Sequence, residues 1–395
     1  MKVALVLERF DVARGGAERS TYEMALSLHE LGVQVTVVTS QAHHGGTHDF
    51  PFSIEELPVK AGTRVGWWRE FERTVTEYLS RNPYDIVQSI SPLSVADIYQ
   101  PRGGSILYSS RRHAFSYPCP VGRRIKRITS WMNRGRQERI SCERQLCTSV
   151  KGPAVAALSH YVAEQFRHEY ALDSQRIRIV PNGVMVDTIR NEETQNQGQK
   201  LRQMMDARGG LTLFLFAAEN YRLKGLHWLI RSAGCAAERL DENDGDFRII
   251  VAGNEMYADY WKQAQKTAAA GKVVFIGPTR QMSALLNSCD AVVLPTYNDA
   301  CSRLILEGLA AGKPGITTRF NGASDFLDRG KYGIVIDECD DVEALANALL
   351  VVTNREKQKE MVTRIEQDRV HEKVSMRRHA RDLAAIYEEM IESRK

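Results

Sequence analysis

The stretch "AVVLPTYNDACSRLILEGLAAGKPGITT", residues 291–318, holds an apolar run, a polar loop, a helical pattern and a second apolar run in immediate succession. "AVVLP" reads as a strand and "PGITT" as the next one. Between them, Leu304, Ile305 and Leu309 lie on one stripe of a helix, with Asp299 and Ser302 as capping candidates at its start. A strand, a helix and a strand at this spacing mean parallel pairing across a helical crossover.

The same alternation extends in both directions. "LTLFLFAA", a helix after Gly225, "FRIIVAG" and "KVVFIG" precede this stretch, and "GIVID" follows it, which makes one parallel sheet. The amino-terminal half repeats the pattern. Lys2 to Leu7 is a buried strand, "ERFDVARGGAERS" a glycine-bearing loop, and the next helix carries Met24, Ala25, Leu28 and Leu31 on one stripe and ends at Gly32. "VQVTVV" completes a β-α-β unit, "YDIVQS" and "AVAALS" supply later strands, and "RIRIVPNGV" closes the half in a strand and a Pro-Asn-Gly turn. The polar tract at 190–208 reads as a linker plus an edge helix. The expected fold class is therefore α/β, with two Rossmann-like, doubly wound domains at residues 1–188 and 189–374 facing across a cleft. A length of 395 residues, too great for one ordinary core, agrees.

The composition narrows the function classes. With 43% apolar and 26% charged residues, and no run of about 18 apolar residues, the chain reads as globular and not as an integral membrane protein. The opening "MKVALVL" stops at Glu8 and Arg9, too short and wrongly flanked for a signal peptide, so a cytosolic location is expected. Seven cysteines without a C-x-x-C pair read as reduced thiols. Net charge is only +4, yet residues 111–145 hold ten arginine and lysine side chains against Glu138 and Glu143, a local +8 that leaves about −4 for the rest.

Ligands of doubly wound sheets bind beyond the carboxyl ends of the strands, so the loops after Leu7, Ala218, Gly253, Gly277 and Pro295 matter most. In the opening stretch, Asp299 falls in such a loop. Ser302, Arg303 and Leu304 begin the helix with unpaired N–H groups, and Glu307 sits about one turn further in. An anion is favoured at that helix end, and the acids can accept hydrogen bonds from hydroxyls beside it, which suits a nucleoside diphosphate sugar. A capped amphipathic helix, with Glu307 favourable to its dipole, explains the same residues without a ligand.

The surrounding sequence favours the ligand. "LPTYNDACSRLILEGLAAGKPGITT" resembles the E-x7-E signature of family 4 retaining glycosyltransferases, with Asp299 in the first acidic place and Glu307 in the second, and "LEGLAAGKPGI" is its most specific part. "RGGAERS" resembles the family's glycine loop, "RIVPNGV" its interdomain turn and "AENYRLKGLHWLI" its phosphate-binding Lys-Gly segment, so the resemblance spans nearly the whole chain. "LSHYVAEQFRHEYALDSQRIRIVPNGV" and "SCERQLC" are most similar to the branch containing lipopolysaccharide-core glucosyltransferases. The resemblance implies a GT-B fold, a last helix at about 375–395 returning to the first domain, a nucleotide sugar in the second domain, an acceptor mostly in the first, and retention at the anomeric carbon. It implies that Asp299 holds donor-sugar hydroxyls, Glu307 holds the ribose, and backbone N–H groups around Cys301, Ser302, Arg303 and Leu304 meet the diphosphate.

Arg222 and Lys224 in "YRLKG" carry positive charge suited to a leaving diphosphate, although solvated charges at a helix start are the commoner fate of such residues. Many members of the family have Arg five places before the Lys, where this chain has Glu219; Arg222 is the candidate substitute. Gly15 and Gly16 have no side chain to keep the backbone from a diphosphate or acceptor, and a simple loop-to-helix turn is the alternative. A nicotinamide site is poorly supported, because no G-x-G-x-x-G is present.

The basic segment alternates Arg123, Arg124, Lys126 and Arg127 with Phe115, Tyr117, Ile125, Ile128, Trp131 and Met132, a composition suited to anionic lipid headgroups. Nucleic acid is the electrostatic alternative and is not the partner expected here. "DGD" at 244–246 precedes a strand and reads as a solvated turn. His43, His44 and His48 in "HHGGTH" read as unliganded loop residues, so no metal and no cofactor are expected. Asp97, in the neighbourhood where the family often places an acid or His, is a weak site candidate. The expected function is retaining, metal-independent transfer of a hexose-type sugar from a nucleoside diphosphate sugar to a glycan or glycolipid acceptor, at the inner face of the cytoplasmic membrane. A non-hydrolysing nucleotide-sugar epimerase and a catalytically silent glycan- or lipid-binding module are the alternatives.

Overall fold

The computed structural model describes residues 1–11, 16–43, 50–206, 209–240 and 245–394. The chain forms two compact units. The first comprises Met1–Ala114, Pro118–Gly183 and Met376–Lys395, and the second Phe115–Tyr117 and Val184–Ser375. Both are Rossmann-like α/β units built on parallel sheets, as the alternation of strand and helix patterns predicts.

Among the described residues, the strands of the first unit are β1 (Lys2–Leu7), β2 (Phe10–Asp11), β3 (Gln34–Thr39), β4 (Ala42–His43), β5 (Ser53–Glu56), β6 (Ile86–Ser89), β7 (Ile98–Tyr99), β8 (Ala154–Ala157) and β9 (Ile177–Ile179). Seven form one sheet in the order β5-β3-β1-β6-β7-β8-β9, and β2 pairs with β4 separately. β1 is buried from Val3 to Leu7 because helices cover both faces of a parallel sheet, which is why its sequence is a continuous apolar run. The chain winds from β1 out to β5 and then returns to place β6 beside β1. Helix Ala17–Glu30 begins after Gly16 and buries Met24, Ala25 and Leu28. The last helix, Met376–Glu392, packs against it and is fixed through Arg378, whose guanidinium donates to the carbonyls of Pro181 and Asn182, each at 2.7 Å.

The second unit holds β10 (Leu211–Ala217), β11 (Asp246–Ala252), β12 (Val273–Gly277), β13 (Ala291–Leu294), β14 (Gly315–Thr318) and β15 (Gly333–Ile336), in the order β12-β11-β10-β13-β14-β15. Phe214 opposes Ala291 in the β10–β13 pairing, and both are fully buried. The winding runs outward from β10 to β12 and then reverses, so the switch in strand order falls between β10 and β13. Helix Arg303–Ala310 lies against β13 so closely that a Cβ on Gly308 would stand 2.4 Å from Val292 Cγ2, which accounts for the glycine inside "LEGLAAG". Ile305 and Leu309 are fully buried there; truncating either to Ala costs about 2–5 kcal/mol, so packing anchors this helix without help from a ligand.

Candidate functional site

The switch in strand order is where an open parallel sheet leaves a crevice at its carboxyl edge, because neighbouring crossovers depart to opposite faces. In the second unit the loops after β10 and β13 flank that crevice. They carry Lys224 and Asp299, and Lys224 Nζ donates to Asp299 Oδ2 at 2.5 Å. The two side chains are 20% and 19% exposed, so the pair is sheltered and still reachable. The backbone fixes both partners. Leu223 N–H donates to Asn220 Oδ1 at 2.9 Å, and Leu223 in turn accepts from Tyr297 N–H at 3.0 Å, which ties the Lys224 loop to the Asp299 loop. Gly225 caps helix Leu226–Ala237 at φ 81°, and a Cβ there would lie 2.1 Å from the Pro295 carbonyl oxygen. Only glycine fits, and this is the physical content of the Lys-Gly motif.

Asp299 is held from the other side by the loop after β14. Its N–H donates to the Phe320 carbonyl and its own carbonyl accepts from Gly322 N–H, each at 2.9 Å. Asn321, fully buried, accepts from Ser302 N–H at 3.0 Å and Ala323 N–H at 3.1 Å and donates to Thr317 Oγ1 at 2.9 Å. Cys301 N–H donates to Asp299 Oδ1 at 3.2 Å. The amides of Cys301 and Ser302, expected to face a diphosphate, are thus engaged within the protein. Ser302 Oγ caps helix Arg303–Ala310 by accepting from Ile305 N–H, and no intrahelical carbonyl reaches the amides of Arg303 and Leu304.

Glu307 lies one turn along. Arg303 Nε and Nη2 both donate to its Oε1, at 3.2 and 3.0 Å, and Oε2 makes no bond with a described residue. Arg222 does not join the Lys224–Asp299 pair. Its guanidinium sits 3.8 Å from the centroid of the Tyr117 ring, and it makes no ion pair with a described residue. Glu255, in the loop after β11, accepts from Tyr221 N–H and so supports the base of the Lys224 loop. Burial first, and then the Glu255 charge, push the Tyr221 and Tyr260 hydroxyls up, Tyr260 to about 12. Sequence reasoning missed Asn321 and Glu255; the Asn-Gly turn signal at 321–322 was the available sign of the first.

In the first unit Gly16 has φ 71° and no described residue within 4 Å of a Cβ built on it, while Gly15 lies outside the described residues. His44, His48 and Asp244 lie outside them too; His43 is in β4 and Asp246 begins β11. Asp97, the weak site candidate, is engaged within the first unit. It precedes β7, accepts from Val87 N–H at 2.7 Å and pairs with Arg394 at 2.5 Å, so it anchors the end of the last helix. Among the described residues no group of three or more His, Cys, Asp or Glu could hold a metal, and no helix is long and apolar enough to cross a membrane.

The basic segment forms helix Pro120–Met132, capped by Cys119. Val121, Ile125, Ile128 and Met132, one stripe at spacings of four, three and four, are 48–68% exposed, and Trp131 beside them is 74% exposed. Ser130, on the opposite face, is buried, and Arg123 and Lys126 on that face are half-buried. The helix therefore presents its apolar stripe to solvent, with Arg124 and Arg127 exposed alongside.

The family profile described as Glycosyltransferase Family 4 matches residues 14–188, and that described as Glycosyl transferases group 1 matches residues 212–355. Lipopolysaccharide glucosyltransferase WaaG of Escherichia coli (strain K12) is 24% identical over 329 residues, 82% of this chain and 82% of that one. The crystal structure of WaaG, a glycosyltransferase involved in lipopolysaccharide biosynthesis, matches with a TM-score of 0.70 at 20% identity over 98% of both chains. Anabaena Alr3699/HepE in complex with UDP and glucose matches with a TM-score of 0.69 at 16% identity, over 98% of this chain and 100% of the other. The chain belongs to the glycosyltransferases of GT-B fold, which move a sugar from a nucleoside diphosphate donor to an acceptor. Within that class it is related to the glycosyltransferases of the lipopolysaccharide core.

Proposed function

We propose that this chain transfers a hexose, with retention of anomeric configuration, from a nucleoside diphosphate sugar to a glycan or glycolipid of the cell envelope at the cytoplasmic face of the membrane. The observation that carries the reading is the Lys224–Asp299 pair at the switch in strand order of the second unit, next to the amino end of helix Arg303–Ala310. The diphosphate is received at that helix end by the amides of Arg303 and Leu304, where the dipole favours negative charge. Glu307 accepts the ribose hydroxyls through Oε2, the oxygen that Arg303 leaves open. Asp299 accepts donor-sugar hydroxyls, and Lys224 turns toward the phosphate.

In the reaction the bond from the anomeric carbon to the phosphate oxygen breaks and the acceptor oxygen bonds to that carbon on the same face. The acceptor's proton passes to the departing phosphate oxygen, and the nucleoside diphosphate leaves. No side chain serves as nucleophile. Lys224 stabilises the charge that develops on the diphosphate, where a preorganised cation contributes most. The reading requires no metal or cofactor. Thermal-shift screening of nucleoside diphosphate sugars tests it: one or more raises the melting temperature well beyond the matching free sugar, and equal shifts from donor and free sugar contradict it.

The outward-facing apolar stripe of helix Pro120–Met132, flanked by exposed Arg124 and Arg127, suits the interface of an anionic bilayer better than water. Seven free cysteines fit a reducing compartment on the same side. Binding to vesicles of anionic lipid falls as salt rises toward a screening length of about 8 Å, and falls about tenfold or more when Ile125 and Trp131 are replaced by Ser or Arg123, Arg124, Lys126 and Arg127 by Ser. Equal binding to neutral vesicles, or unchanged binding by both variants, argues against the assignment.

A further inference from the structure

The first unit contains a cavity of about 770 Å³ that no part of the donor site uses. It opens at the carboxyl edge of the first sheet, where Glu8 and Arg9 follow β1, Ser40 and Gln41 follow β3, and Glu56 ends β5. Its volume is in the range of small-molecule sites. Five cationic side chains line it: Arg9, Lys60, Arg64, Arg136 and Arg139. Two of them have carboxylate partners. Arg139 pairs with Glu8 at 3.0 Å and lies 5.5 Å from the Trp68 ring centroid, and Arg9 lies 3.5 Å from Asp11. Lys60, Arg64 and Arg136 make no ion pair with a described residue, and the Arg136 guanidinium donates to Ser130 Oγ at 2.8 Å. Among the described residues Glu8 and Glu56 are the acids on the wall, so the described lining carries a net +3.

Two helix ends add to this field. Arg64 opens helix Arg64–Arg81, which is capped by Thr63 Oγ1, and Gly135 and Arg136 lie in the first turn of helix Arg134–Thr148, capped by Asn133 Oδ1. The amino-terminal turns of both helices thus border the cavity, where their partial positive charge adds to the field. Three uncompensated cations, two helix amino termini and the indole of Trp67 along one wall form a site for a hydroxylated ring that lays a C–H face on the indole and carries a negative group. A neutral sugar leaves these charges unanswered.

We propose that this cavity binds an anionic sugar unit, one bearing a phosphate or a carboxylate, and that Arg64, Arg136 and Lys60 hold the negative group. This rests on the glycosyltransfer reading for its biological sense, since such a unit would belong to the acceptor, but the binding itself does not depend on that reading. The reaction class that supplies the substrate is then one that phosphorylates a sugar or oxidises its terminal carbon before this enzyme acts.

Calorimetry with the full chain tests the assignment, using glucose 6-phosphate, glucuronate, inorganic phosphate and glucose as probes. At least one anionic sugar binds ten times or more tightly than glucose and than inorganic phosphate, and the pair Arg64→Gln and Arg136→Gln weakens it about tenfold or more. Lys60→Gln, at an exposed position, serves as the second variant and weakens it in the same direction. The choice between the two anionic probes identifies phosphate or carboxylate as the group held. Glucose binding as well as either anionic sugar overturns the proposal, as does inorganic phosphate binding as tightly as glucose 6-phosphate, or variants that bind like the parent. Nucleoside diphosphate binding by the same variants separates the two readings. If it persists while anionic sugars fail to bind, the cavity assignment falls and the donor site stands; if anionic sugars bind and no donor does, the reverse holds.

Discussion

Lys224→Ala lowers kcat by about 10²–10³-fold, the loss that follows removal of one preorganised charge-stabilising group. The fold is kept while the melting temperature falls, because removing the cation leaves the Asp299 carboxylate, about one-fifth exposed, without its partner. The coupling with Asp299 makes the prediction sharper. Lys224 Nζ donates to Asp299 Oδ2, so each side chain fixes the other's position. Asp299→Asn removes the negative partner and releases Lys224, so it reduces turnover and blurs the choice among donor sugars while leaving nucleoside diphosphate binding nearly unchanged. Residues that act as a unit are not additive, and the Lys224→Ala, Asp299→Asn double variant is no slower than Lys224→Ala alone within about threefold. Strict multiplication of the two losses shows the pair to be independent and removes the basis for treating it as one device. Asp299→Glu, which extends the side chain by one methylene, shifts donor preference because the 2.5 Å contact with Lys224 cannot be kept in place.

Glu307→Gln weakens the free nucleoside diphosphate about tenfold or more, through two effects of the same sign. The charge-assisted acceptor offered to the ribose becomes a weaker amide, and Arg303 loses the carboxylate that receives both Nε and Nη2. The loss appears in diphosphate binding, in contrast to that of Asp299→Asn, which appears in turnover. Calorimetry with the diphosphate and kinetics with intact donors assign each acid separately. Wild-type binding and turnover in both neutral variants returns Asp299 and Glu307 to the role of helix capping and surface charge.

The parts of this molecule that could be read from its residues are those governed by local chemistry. Continuous apolar runs such as "VALVL" and "FRIIV" identify strands because parallel sheets are buried on both faces. Asp299, Glu307 and Lys224 stand beside strand ends that the pattern already locates. β5 and β7 show no long apolar run for a physical reason: "SIEE" lies at the sheet edge with three of its four residues exposed, and "IY" is buried but spans two residues. Beyond its Asn-Gly turn, the loop after β14 likewise carries no local sign of its role. Asn321 matters because β14 lies beside β13, a neighbourhood set by the sheet's winding and not by any spacing in the chain. The same holds for Glu255, brought beneath Tyr221 by the adjacency of β10 and β11. For helix Pro120–Met132 the composition indicates a basic segment interleaved with apolar residues, and the burial of Ser130 with the exposure of Val121, Ile125, Ile128 and Met132 shows that the apolar stripe is the face turned outward.

The central claim is that a sugar leaves a nucleoside diphosphate and joins an acceptor on the same face of its ring. Proton NMR of a reaction containing the donor that stabilises the protein most and an acceptor from cell-envelope glycans follows this directly. The account predicts loss of the donor's anomeric signal, release of nucleoside diphosphate in equal amount, and a new glycoside signal with the donor's own anomeric configuration. A glycoside of opposite configuration contradicts retention, and an epimerised nucleotide sugar formed with no acceptor consumed contradicts transfer itself.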